Sequence, residues 1–522
     1  MSARKPARDT LDDALVADMQ SRGIDVDLSC EILDRYNGGD FDHQRPVEVE
    51  SLPDIDGKQV IDATGKLSME LDSKRAREVF SDLGIGAAPE EFGTSNGESI
   101  AFDHAALTRI GIHLVPKTAY GVLNGGSATS YADEKKNRGF SNSLFTLLRP
   151  HFESLGGEVK GKAKGLTPAF VTEDGNGPSF LELKMRNLLL LARRYSRETG
   201  RRLPPDFQPM FQMTSVNNDA EVAAAYDRFR ESEVLRDLIH ETGIDITRVR
   251  TGVQPMISAY THGEEGRPKR VFDHAYGEHG HTLALPGGHG QNFHVLEDVY
   301  RGLLNDGFRY AYIGNVDNLG FTIDPALVAR FALSGRPAAF EFSFRTPVDV
   351  KGGILVQERS GVLTCGDIGP AVSKDAVFEA EAAGRSILFN CATGLFDLRQ
   401  LVADLSRIKR DLPVRFTDQD KDAGRYSQAE QVTWEVIGML ESPLILGVNK
   451  YHRFLAAKLL SETLMTSGLE LDNPDYPTDS DPTRDLLGTA KQLHKGLRSA
   501  LERDYGFCIR QGRPQQLPVD KL

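Results

Sequence analysis

The sequence predicts an α/β protein built on a doubly wound, mostly parallel sheet, and three observations carry that prediction. Apolar runs of strand character at Phe207–Thr214 and Arg248–Ile257 flank a helical stretch at Glu221–Thr242, and strand-helix alternation of this kind makes parallel sheets. A second alternation runs from Leu285 to Gly320 as loop, helix, strand and polar loop. Phe293, Leu296, Tyr300 and Leu303 recur at helical spacing, Asn305, Asp306 and Gly307 stop the helix, and Phe308–Ile313 follows as a buried strand. Third, Thr118–Ser130 (TAYGVLNGGSATS) reads as a short strand that empties into a glycine-rich loop. Ligands of open α/β sheets collect outside the carboxyl ends of the strands. The polar run Gly314, Asn315, Val316, Asp317 and Asn318 stands at such an end. Asp317, with His289 in a glycine-flanked loop one element earlier, suits a phosphate held through a divalent cation, and an ordinary Asn/Asp turn beside a surface histidine is the alternative.

The remaining elements follow in chain order. Residues 1–114 read as an N-terminal helical layer, with amphipathic patches at Leu11–Met19 and Arg75–Leu83. Gly125 and Gly126 let backbone approach a flat base or a phosphate, although neither a Walker loop nor a GxGxxG turn is present, and a plain strand-to-loop turn is equally consistent. Tyr131–Val159 looks like an insertion or mobile lid, at about 131–160. Lys162 and Lys164 precede GLTPAF, a further strand start, and Phe180–Thr199 is a long helix. Gln254 lies in the Arg248–Ile257 strand, either as a base-reading amide or as a polar residue at an exposed end. His274, His279, His281, His289 and His294 lack HExxH spacing and argue against zinc. Pro337–Phe344 is a strand, Thr346–Cys365 an extended segment with a hairpin, Lys374–Ala383 a helix, Ile387–Cys391 a strand, and Leu395–Ile408 and Ser427–Leu440 are helices. Lys458 sits among Leu455, Ala456, Ala457 and Leu459, which suggests partial burial, although a snorkelling surface lysine is the plain alternative. A last helix, capped by Asp481 with Pro482 in its first turn, carries Leu486, Leu493, Leu497 and Leu501 on one face for packing or oligomerisation.

Composition bounds the function. The chain has 522 residues, 40% hydrophobic and 26% charged, enough for two or three domains with an ample core. A formal charge of -13 disfavours nucleic-acid and anionic-membrane partners while leaving room for a local anion pocket. Four cysteines, Cys30, Cys365, Cys391 and Cys508, are widely spaced, so neither a disulfide framework nor a structural zinc site is indicated. With no apolar leader and no apolar run near 18 residues, a soluble protein of the reducing cytoplasm is expected.

From about Tyr120 to Met465 the chain resembles the UDP-glucose pyrophosphorylase family, in six ordered stretches. LNGG at Leu123–Gly126 is similar to the uracil-binding loop, and Gln254 stands where the uracil-reading glutamine is expected. GHG at Gly288–Gly290 and NVDNLG at Asn315–Gly320 resemble PGHGD and NSDNLG. FEFSFRTPVDVKGG at Phe340–Gly353 and RFLAAKLLSETL at Arg453–Leu464 resemble MEVTxKTxADVKGG and RFLPVKTxSDLL. Departures are Ser127 and Ala128 after LNGG, Gln291 for the aspartate of GHGD, FNCATGLF at Phe389–Phe396 for FNTNNLW, and a short helical tail where the eukaryotic enzymes carry a β-helix.

The resemblance implies a nucleotidyltransferase core of Rossmann-like, GT-A type over 115–412, with a short, mainly helical C-terminal region over 413–522. It implies that a sugar 1-phosphate oxygen attacks the α-phosphorus of UTP and releases pyrophosphate, with glucose 1-phosphate the favoured sugar and galactose or N-acetylglucosamine 1-phosphate the alternatives. Lys458 and Lys164 would be catalytic, with Lys135 or Lys136 as substitutes for Lys164. UTP would meet Leu123, Asn124, Gly125, Gly126, Lys164, Gln254, Gly288, Asp317 and Lys458, the sugar phosphate would meet His289, Asn315 and Glu341, and Mg²⁺ would sit on Asp317. No nucleic acid or membrane partner is implied, and a homo-oligomer is compatible. A non-catalytic nucleotide-sugar sensor or scaffold is the rival from another class, but it has no need of Asp317, Lys164 and Lys458 together.

Overall fold

The computed structural model describes residues 6–42, 49–128, 131–172, 175–346, 349, 352–369, 371–478, 486–510 and 513–517. Its centre is a twisted sheet whose main strands are β1 (Val60–Asp62), β2 (Thr118–Leu123), β3 (Met210–Ser215), β4 (Arg250–Gln254), β5 (Tyr310–Asn315), β6 (Ala338–Phe344), β7 (Leu388–Asp397) and β8 (Leu444–Val448). They lie in the order β4-β3-β2-β5-β7-β6-β8-β1. β7 runs antiparallel to β5 and β6, and the other neighbours along this path are parallel. The order reverses direction between β2 and β5, which is where a doubly wound sheet opens a crevice.

Alternation along the strands explains the layers. Tyr310 and Tyr312 of β5 pack in one buried cluster with Leu107, Ile110, Leu189, Phe321 and Phe331, while Ala311 and Ile313 pack in another with Phe293, Tyr300, Phe396 and Leu401. Successive side chains leave a strand on opposite faces, so the sheet needs helices on both sides. Helices His104–His113, Phe180–Thr199 and Pro325–Ser334 cover the first face, and Glu297–Asn305 and Leu398–Asp411 the second. Local chemistry sets their ends. Ser179 and Glu182 form a reciprocal capping box before Phe180, and Gly200, at φ +69°, closes the same helix. Asp324 caps the helix that Pro325 begins.

Several expectations are corrected by these contacts. The first 114 residues are not a purely helical layer: β1 pairs in parallel with β8, and Met69–Asp72, Thr94–Asn96 and Ser99–Phe102 form a small antiparallel sheet. The helix expected from Leu395 starts at Leu398, because Leu395 and Phe396 pair with Tyr312 and Ala311 on one side and Ala339 and Ala338 on the other. Ser427–Leu440 is not a helix: Arg415–Lys421 and Gly424–Glu430 form a hairpin, followed by a 3-10 turn at Thr433–Met439. GLTPAF begins no strand, since Lys164–Leu166 is a 3-10 turn whose carbonyl at Lys164 accepts the Thr167 hydroxyl. The 131–160 segment is two helices, Glu134–Phe140 and Asn142–Val159, with Leu144, Phe145 and Leu148 fully buried, so it is built into the core and is not a loose lid. Helical wheels alone do not separate a lid from a packed hairpin.

The C-terminal helix, Leu486–Tyr505, buries Leu486, Leu493, Leu497 and Leu501 within the chain itself, which resolves its stripe as packing. Its proposed caps, Asp481 and Pro482, lie outside the described residues. A hairpin, Phe507–Arg510 with Arg513–Gln516, follows it, so the tail is not helical alone. No described helix is long and apolar enough to cross a membrane.

Candidate active site

Register alone assembles a site at the switch point. Leu123, the last residue of β2, lies opposite Asn315 of β5 and Met213 of β3, and Ser215, the last of β3, lies opposite Gln254, the last of β4. Four carboxyl ends therefore meet, and their side chains wall a cavity of about 390 Å³. Leu123, Gly125, Gly126, Lys164, Gln254, Gly288, His289, Asn315 and Asp317 all line it, so nine of the expected residues, scattered between Leu123 and Asp317, are brought together.

The glycine loop is held from behind. Ser215 Oγ donates to the carbonyl of Gly125 at 2.9 Å, and Asn218 Nδ2 to that of Asn124 at 2.8 Å. Asn124 itself does not face the cavity. It is fully buried, and its Oδ1 accepts the Gly165 N–H at 3.2 Å, tying this loop to the turn that carries Lys164. Gly125 lies close to Gln254: a Cβ there would stand 2.9 Å from Gln254 Oε1 and would push that amide aside. Gly288 has φ +82°, and a Cβ would fall 2.3 Å from the Gln431 carbonyl.

Lys164 is 7% exposed, donates from Nζ to the Ala457 carbonyl at 2.9 Å and lies 3.1 Å from the centre of the Tyr131 ring. Burial depresses its pKa to about 8, with the charge of Lys458 adding to the fall and that of Asp317 opposing it. Lys458 itself is exposed, which corrects the expectation of partial burial: only its backbone N–H is tied, to Glu462. The helix is interrupted here, between Lys450–Arg453 and Leu460–Ser467, so Lys458 rides on an extended link where apolar neighbours turn inward and it turns out. Its charge still reaches His289, whose imidazole is pushed down to about 4 by burial and by Lys458. His289 Nδ1 accepts the Thr433 N–H at 3.1 Å, so the neutral ring carries its proton on Nε2. Lys135 and Lys136 belong to the Glu134–Phe140 helix and do not line the cavity.

Asp317 is 9% exposed, and its Oδ1 is buried without a hydrogen-bond partner. An orphaned carboxylate oxygen at a cavity wall fits a hard cation. No group of three or more His, Cys, Asp or Glu among the described residues is placed to hold a metal ion. Asn318 positions this loop: its Oδ1 accepts the N–H groups of Gly320 and Leu455, and its Nδ2 donates to the Arg453 carbonyl at 3.0 Å. Fully buried Lys184 donates to the Asn318 and Phe321 carbonyls from beneath.

Glu341 is corrected. It is 1% exposed, is bound by Arg453 at 2.7 Å and by the Tyr312 hydroxyl, and is absent from the cavity wall, so it braces the sheet and does not face a sugar. Sequence reading also missed Met213, Ser215, Asn217, Asn218 and Met256 on the wall. The signal was present, since Ser215, Val216, Asn217 and Asn218 repeat at β3 the polar strand end read at Asn315–Asn318.

Fold and site define an α/β protein with a doubly wound sheet whose crevice gathers a buried lysine, a carboxylate and a glycine loop. The family model described as UTP--glucose-1-phosphate uridylyltransferase matches residues 268–474, so this stretch of the chain is similar to that family. A UTP--glucose-1-phosphate uridylyltransferase of Encephalitozoon cuniculi (strain GB-M1) is 31% identical over 220 residues, 40% of this chain and 44% of that protein, so the chain spans under half of that relative's length. Two solved structures share the fold. A UDP-glucose pyrophosphorylase mutant from Leishmania major aligns at TM-score 0.54 and 16% identity, covering 89% of this chain and 79% of that one. A uridine diphosphate N-acetylglucosamine pyrophosphorylase from Trypanosoma brucei, in complex with an inhibitor, aligns at 0.60 and 15%, covering 94% and 81%.

Proposed function

We propose that the chain is a UTP-dependent uridylyltransferase that joins UTP and a sugar 1-phosphate into a UDP-sugar and pyrophosphate, with glucose 1-phosphate the preferred sugar. The observation that carries this is the meeting of Gly125, Gln254, Lys164 and Asp317 in one cavity of about 390 Å³, a volume suited to a nucleotide. The family match supports the same reading. The antiparallel β7 set among parallel strands along the main path is consistent with a GT-A type core. The described cysteines, Cys30, Cys365 and Cys391, are unpaired, in keeping with a cytoplasmic protein.

Catalysis rests on positioning and charge. The glycine loop and Gln254 bind the base. Lys164 neutralises the triphosphate, the anion restoring the charge that burial disfavours. Neutral His289 offers an Nε2–H donor, and Asn315 an amide, to the sugar phosphate beside the α-phosphorus. Lys458, free to swing from its exposed link, meets the charge that builds on the bridging oxygens as the bond breaks. Mg²⁺ would be held by Asp317 and would supply neutralisation of phosphate charge.

The test is pyrophosphate release with UTP, ATP and CTP against a panel of sugar 1-phosphates. UTP with glucose 1-phosphate is expected to give the highest kcat/KM. Equal turnover with CTP, or a higher kcat/KM for galactose or N-acetylglucosamine 1-phosphate, would overturn the base or the sugar assignment respectively. UDP-sugar binding without turnover would favour a sensor.

A further inference from the structure

Beside the backbone of the glycine loop, Gln254 supplies the side-chain amide expected to read the base, and an amide can present either a donor or an acceptor. Its Nε2 donates to the Gly288 carbonyl at 2.8 Å and to Gln291 Oε1 at 2.8 Å. A carbonyl can only accept, so the first bond fixes which end of the amide is nitrogen. The second occupies the other amide hydrogen. Oε1 is thereby left for the ligand, and it is the atom nearest Gly125, against the loop that would carry the base.

Gln291 is 4% exposed and its side chain fills the space that a Cβ on Gly287 would need, 2.2 Å from Nε2, so it has little freedom to turn away. It stands outside the cavity wall and acts through Gln254. We infer that Gln291 is the positioning residue that, together with the Gly288 carbonyl, holds Gln254 as an acceptor, so that the site takes a nucleobase with a ring N–H, as uracil has, and rejects one with a bare ring nitrogen at that edge, as cytosine has. The role needs an acceptor at position 291 and not an amide as such. The aspartate of the resembling GHGD motif would also accept. This deepens the proposed function and rests on it.

The experiment compares wild type, Gln291→Met and Gln291→Glu by the ratio of kcat/KM for UTP over CTP, with calorimetric binding of UDP and CDP as a readout independent of turnover. Methionine keeps the length and removes the acceptor, and glutamate keeps the acceptor. The expected result is a UTP-over-CTP ratio lower by about tenfold or more in Gln291→Met, matched by the UDP-over-CDP affinity ratio, and a ratio within about threefold of wild type in Gln291→Glu, on the scale of one hydrogen bond. A purely structural role would weaken UTP and CTP alike and leave the ratio unchanged, which overturns the inference. Loss of the ratio in Gln291→Glu overturns it too, because the acceptor is still present. If wild type neither binds nor turns over uridine nucleotides, the functional reading itself fails and the inference with it; a wild-type preference that Gln291→Met retains sinks the inference alone. Should Gln291→Met not fold, Gln291→Leu takes its place with the same ratio as readout.

Discussion

Lys164 is poised to sense its ligand. With a folded pKa of about 8 against about 10.4 in an unfolded chain, it binds fewer protons folded than unfolded between those values. Its burial therefore penalises the fold most at low pH, and stability without nucleotide should rise as pH climbs through that window. Nucleotide affinity should move the other way, because the triphosphate favours the charged amine. UDP or UTP binding should hold steady below about 7 and weaken by up to tenfold per unit above about 8, a slope that Lys164→Met should abolish in calorimetry. Asp317→Asn keeps shape and loses charge, so it should abolish Mg²⁺-dependent turnover with an unchanged unfolding midpoint. Lys458→Ala should lower kcat by on the order of 10²-fold with a smaller change in UTP affinity, since an exposed lysine contributes little to the fold and its proposed partner is the reacting phosphate. Lys458→Arg should recover only part of it, the wider guanidinium not meeting the same point. A folded Lys458→Ala with kcat within about threefold of wild type would return Lys458 to the surface.

At the scale of elements, β5, β6 and the Lys450–Arg453 helix are clamped by one buried ion pair. Arg453 meets Glu341 of β6, the Tyr312 hydroxyl of β5 and the Thr322 carbonyl, while its own carbonyl accepts from Asn318 beside Asp317. Removing one partner leaves a buried charge alone, so Glu341→Gln should cost about 3–5 kcal/mol in denaturant unfolding. It should leave the ranking among sugar 1-phosphates unchanged, as expected of a brace. Family likeness pointed Glu341 at the sugar because motif order carries no information on which way a strand residue faces; the pairing of β6 decides that.

For the whole molecule, the sheet takes β1 from before residue 115 and β8 from after residue 412. β8 buries Leu444, Ile445 and Leu446 at 0–2% exposure beside β6. A fragment of 115–412 would bare that edge, so it should show no cooperative unfolding transition by calorimetry, whereas the full chain should. Saturating UTP should raise the midpoint of the full chain by mass action and leave the fragment unaffected.

The sequence by itself determined the α/β class, the strand that empties into the glycine loop after Leu123, the polar run at Asn315–Asn318 after a buried strand, and, with the family resemblance, about half of the wall. Strand-helix alternation, glycines beside strands and Asn/Asp runs are local signals, readable within about ten residues. Tertiary structure decided the rest. That Asn124 turns behind its loop, that Glu341 is spent on Arg453 and that the 131–160 segment is core depend on partners between 41 and 332 residues away in sequence. Leu395 is a good helix former, and β5 and β6 made it and Phe396 strand, because paired backbone and a buried face outweigh a propensity difference of a few tenths of a kcal/mol per residue. The same holds for Gln254, whose amide could present either end to a base until the Gly288 carbonyl and Gln291 fixed it.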